Sequence, residues 1–164
     1  MKKRAASQGV AGTTLSTAAC ERAWALQRSA LLTMEYLNTW FGESDGPEAP
    51  MPVPRSAVSA LRRLLQDASD GDGVVTDSRV GGPAYEVAAH VLGRTPSIEG
   101  LGKAELIEQR LGCYEALLNT LLVDPAALDL GGALHETAWE FHAFLSELLV
   151  VGREAAPVLH PRCM

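Results

Sequence analysis

Leu134-His-Glu-Thr-Ala-Trp-Glu-Phe-His-Ala-Phe-Leu-Ser-Glu-Leu-Leu-Val-Val151 is the stretch that decides the fold class. Wound at about 100° per residue, it places Leu134, Ala138, Phe141, Leu145, Leu148 and Leu149 on one apolar arc. Glu136, Glu140 and Glu147 fall on the opposite side. A half-buried strand would alternate with period two, and this segment does not. It reads as a helix with one face on a core and an acidic face outward.

Working outward, the same periodicity recurs. Lys103 to Val123 carries an apolar arc of Leu106, Ile107, Cys113, Tyr114, Leu117, Leu118 and Leu121, with Arg110 projecting from its middle. Asp124-Pro125 is expected to begin the last helix, which Gly131-Gly132 breaks or kinks before its amphipathic part. A first helix starts at Ser16 or Thr17, either of which can cap it, and runs to Phe41. Its stripe is Ala19, Ala23, Leu26, Ala30, Met34, Leu37 and Phe41, with Trp24 and Leu31 widening the arc toward a second neighbour. A second helix from Arg55 to Ser69 buries Ala57, Val58, Leu61, Leu64, Leu65 and Ala68. A short third runs from Pro83, where a first turn tolerates proline, to Leu92.

Between these lie a flexible arm over 1–15, a stiff connector with four prolines in Pro47–Pro54, a brief strand-like stretch over Val74–Val80, and a tail over 156–164. The expected architecture is all-α, a single domain over 16–155. The first, fourth and fifth helices form its core layer, with the second and third packed across it.

Composition bounds the function. With 164 residues, 47% hydrophobic and 21% charged, the chain belongs among globular proteins that bury a core without staples. Its net charge of −6 opposes broad nucleic-acid binding, which needs a positive field. Cys20, Cys113 and Cys163 lack metal-knuckle spacing and suit a reducing cytosol. Met1-Lys-Lys-Arg4 resembles the start of an export signal, but Ser7 to Ser16 is too polar to follow it, and no run spans a bilayer. The expected location is the cytoplasm.

Several residue groups invite a chemical reading. His135, Trp139 and His142 share one flank of the last helix, spaced four and three apart. The histidines are about 10 Å apart along the axis, too far to share one metal, so each would need ligands from another helix. A core-edge stripe, with Trp139 covering a neighbour, accounts for them as well. Arg110 is expected to find a carboxylate on a neighbouring helix, or to form a small anion- or partner-binding pocket with Tyr114. Asp67 to Gly73 fails the calcium-loop pattern, because Val74 and Val75 stand where a ligand and a glycine are required. Arg55, Arg62 and Arg63 are the one basic footprint on a helix, without the short turn of a helix-turn-helix. No phosphate-cradling loop or nucleophile motif is present.

The expected function is therefore that of a small non-catalytic interaction or regulatory protein, working without a cofactor or metal. It presents an acidic helix face to a protein partner, basic in character, through Glu136, Glu140, Glu147, Arg110 and Tyr114. Alanine-rich faces are compatible with a homodimer. The alternatives are a metal-binding protein or small enzyme using His135 and His142, and a DNA-associated regulator acting through the Arg55–Arg63 helix.

Overall fold

Among the described residues of the computed structural model, five helices follow one another: α1 Thr17–Phe41, α2 Arg55–Asp70, α3 Pro83–Gly93, α4 Lys103–Val123 and α5 Ala133–Leu159. The structure describes residues 15–41, 53–70, 82–94, 100–124, 127–128 and 131–159. The arm before Leu15, the connector over 42–52, the strand expected over 74–80, and residues 160–164 lie outside the described residues. The protein is all-α, and no helix is long and apolar enough to cross a membrane among the described residues.

Ser16 begins α1 as its cap: its Oγ accepts a hydrogen bond from Ala19 N at 3.1 Å, satisfying one of the first-turn donors. The same residue ties α1 to α3. Ser16 N and Oγ donate to the two carboxylate oxygens of Glu86 at 2.7 and 2.9 Å. Leu15, at the end of the expected arm, packs against the core instead.

The core is organised as a ring rather than as the expected layer. The most extensive pairing is α1 with α5, followed by α2 with α4; α1–α2 and α4–α5 contacts close the circuit. The diagonals barely touch, so α1 and α4 do not form one layer, and α2 is a full member of the ring. The eleven-residue α3 contacts all four others and buries Ala84, Tyr85, Val87, Ala88, Val91 and Leu92. A helix apolar on nearly every side has nowhere to go but the middle of its neighbours.

The ring alters which residues are buried. On α4, Leu111 is enclosed and Cys113 is exposed, the reverse of the sequence expectation. On α1, Leu31 stays 45% exposed, whereas Trp24 on the same expected flank is half-buried. On α5 the buried face extends to Phe144, Val151 and Ala155.

The last helix begins at Ala133, not at Asp124-Pro125. Asp124 turns away in extended geometry, Ala127 N returns to Asp124 O at 3.0 Å, and Leu128 plugs into the core. Gly131 then adopts φ +92°, which a residue with a Cβ rarely reaches, two residues before α5 starts. At its other end α5 continues to Leu159, four residues into the expected tail.

Candidate functional site

The α1–α5 pair runs antiparallel, and its contacts form a ladder. Gln27 Nε2 donates to Leu149 O at 3.3 Å, Ser146 Oγ stands 3.4 Å from Met34 Sδ, and His142 Nε2 stands 2.6 Å from Asn38 Oδ1. At the far end, Phe41 meets three rings of α5 at once. Its ring lies 5.0 Å from His135, 4.5 Å from Trp139 and 5.8 Å from His142, each approached near the perpendicular. Edge-to-face contact suits the quadrupole of aromatic rings and holds all four in place. His142 also lies nearly parallel to Trp139 at 6.1 Å.

Trp139 is the anomaly of this cluster. It is anchored on Phe41, so it does cover a neighbour, yet it remains 57% exposed. With His135, Glu136 and Glu140 it lines an open recess of about 480 Å³. The site is thus an aromatic platform with two carboxylates beside it.

The charges around it sort into paired and unpaired. Arg110 of α4 reaches across to Glu140 and forms an ion pair, the resolution expected of a cation set among apolar neighbours. Farther along α5, Arg94 at the end of α3 serves two carboxylates, Glu147 at 3.7 Å and Glu154 at 3.2 Å. Glu136 has no cation beside it among the described residues and is exposed in the first turn of α5. There the helix dipole favours its charge.

Tyr114 does not belong to a surface pocket. It is 3% exposed and packs on Phe141 at 4.9 Å and on Phe144 at 5.1 Å. Burial pushes its phenol far above the usual range, against a smaller opposing pull from Arg110. The Arg110–Tyr114 pocket expected from sequence is therefore replaced by an Arg110–Glu140 bridge lying over a buried Tyr114.

His135 and His142 flank Phe41, and His142 is engaged by Asn38. Burial holds the His142 imidazole below its ordinary pKa, favouring the neutral ring. Among the described residues, no three of His, Cys, Asp or Glu gather as a metal site would require.

The basic helix is likewise occupied. Arg55 Nη2 donates to Leu122 O at 3.0 Å, satisfying a carbonyl at the end of α4. Arg62 Nε is enclosed with no hydrogen-bond partner among the described residues, and Arg63 is exposed. A second recess of about 370 Å³, walled chiefly by Tyr36, Val58, Leu121 and Leu122, opens beside Arg55.

Of the five residues named from sequence, Glu136 and Glu140 line the recess, and Arg110 is paired with Glu140. Glu147 lies two turns away on Arg94, and Tyr114 is in the core. Phe41 and Asn38 belong to the site without having been expected there. Periodicity assigns Phe41 to the core stripe, and only its position as the last residue of α1 marks it as accessible to the surface.

No protein-family model matches the chain, and no curated protein or solved structure matches it either.

Proposed function

We propose that the protein is a non-catalytic helical interaction module that docks a protein partner on the outer side of the first turns of α5. The observation that supports this reading is Trp139, a large aromatic residue held rigidly by Phe41 while most of its surface meets water. Rigid, exposed Trp residues dominate binding energy at interfaces, because burying them costs little conformational freedom and removes much apolar area from water. Placing Trp139 over Phe41 keeps it from folding back onto the core. The acidic face is narrower than its charge pattern suggests, since Arg110 and Arg94 already pair with two of its three carboxylates, Glu140 and Glu147. Docking therefore centres on Glu136, Trp139 and Glu140.

Affinity purification from the native host, with wild type and Trp139→Ser side by side, tests the reading. Trp139→Ser should keep the helical circular dichroism and thermal midpoint of wild type while losing the specific partner. A partner recovered equally by both proteins, with none lost, would refute the docking face.

A further inference from the structure

We infer that the occupant of the Trp139 recess is an arginine side chain from a basic segment of the partner protein, stacked on the indole and paired with Glu136. The inference rests on the docking reading and names the chemistry that the face accepts.

Three observations converge on it. The recess is bounded by an indole and two carboxylates, one on either side of Trp139 in sequence and all within one turn and a quarter of helix. An indole face attracts cations through its quadrupole, and a planar guanidinium lies flat on it while its edges donate to carboxylates. The molecule also shows a guanidinium at this turn, because Arg110 is paired with Glu140. Finally, Glu136 and Glu140 stand four residues apart on one face, where like charges repel. Arg110 compensates one of them and leaves the other, so the turn carries one surplus negative charge beside the exposed ring. A second guanidinium on Glu136 completes the arrangement that Arg110 begins on Glu140.

A neutral apolar side chain would cover Trp139 but leave Glu136 desolvated without a partner, which is costly at a closed interface. Hence the discrimination should come from charge at constant shape. Citrulline supplies that control, being nearly isosteric with arginine and uncharged.

The experiment titrates ¹⁵N-labelled protein with a synthetic peptide, acetyl-Gly-Arg-Gly-Gly-Arg-Gly-amide, and with its citrulline counterpart. The expected result is a saturable shift of the Trp139 indole N–H with the arginine peptide and little with citrulline. Trp139→Leu and Glu136→Gln should each weaken binding about threefold to tenfold, both variants keeping the wild-type backbone spectrum. Equal shifts with both peptides would overturn the guanidinium assignment while leaving Trp139 as a docking face. Shifts spread over every carboxylate-bearing turn, with Trp139 unmoved, would overturn it as unspecific attraction to an acidic protein. No response to either peptide at millimolar concentration, together with unchanged partner capture by Trp139→Ser, would remove both readings.

Discussion

Gly152→Ala should destabilise the protein, although the same change on a free helix stabilises it. In an exposed helix interior, alanine gains about 0.5–1 kcal/mol over glycine by restricting the unfolded chain. At Gly152 a Cβ would lie 2.8 Å from Gln27 Cδ, 2.9 Å from its Cβ and 3.1 Å from its Cγ. The far end of Gln27 can swing away, but its Cβ is fixed by the α1 backbone, so the helices must part or shift. Overpacking of this kind costs about 1–3 kcal/mol. Losing the Gln27–Leu149 hydrogen bond adds about 1 kcal/mol. The net expectation is a loss of about 1–3 kcal/mol, or roughly 3–10 °C in Tm for a chain of this length. Gly112, exposed in the middle of α4 with nothing within 4 Å of the place a methyl group would take, supplies the control. Gly112→Ala should gain about 0.5–1 kcal/mol. Urea midpoints for both variants, with Gln27→Ala as a partly relieving background, measure the difference. If Gly152→Ala proved as stabilising as Gly112→Ala, the close approach of α1 to α5 would be wrong. The ladder that carries Phe41 beneath Trp139 would lose its anchor as well.

Other expected outcomes follow from single contacts. Ser16→Ala removes the α1 cap and the side-chain bond to Glu86 while keeping the backbone N–H bond to that carboxylate, and should cost about 1–2 kcal/mol by denaturant titration; a neutral result would show that neither side-chain bond is kept in solution. Arg110→Met should change stability by no more than about 1 kcal/mol, since the Arg110–Glu140 pair is partly solvated; a loss several times larger would place that pair in the core. His142 is held below its usual pKa of 6.5 by burial; His90 is held below it by burial first and then by Arg94 and Lys103, against Glu154 and Glu147. The unfolded chain therefore takes up these protons first, so stability is full above about pH 6.5 and falls as the pH drops toward the folded values. Urea midpoints from pH 7.5 to 5.0 should decline, and His90→Gln/His142→Gln should flatten the decline; an unchanged slope in the double variant would assign the effect to other groups.

The helices are legible in the sequence because each carries its own evidence. Ser16 caps, Pro83 starts a turn, and leucines recur at three and four residues, all of them local signals. Their arrangement is not, since periodicity tells that a face is buried but not against what. Leu111 and Cys113 are two residues apart, and the choice between them depends on how the neighbouring helices lie against α4. The start of α5 misleads for a different reason. Asp124-Pro125 is a sound helix opening in isolation, but Asp124 is extended, Ala127 N bonds back to Asp124 O, and Leu128 enters the core before α5 starts at Ala133.

The site is half legible, and the missing half changes its meaning. On a helical wheel, Glu136, Glu140 and Glu147 are equivalent carboxylates on a solvent face. In space they differ, because Arg94 follows the end of α3 and Arg110 projects from α4, and both reach α5. Charge on an outward face measures solubility until its counter-ions are known, and these come from other helices. An exposed aromatic residue is more informative: keeping Trp139 in water forfeits burial worth about 2 kcal/mol or more. Nor does it lie there for want of support, since Phe41, the last residue of α1, holds it from beneath. Trp139 is a ring braced from within and open to solvent. Beside it stands Glu136, the one carboxylate of the three that no cation neutralises among the described residues, so exposed ring and uncompensated charge coincide at this turn.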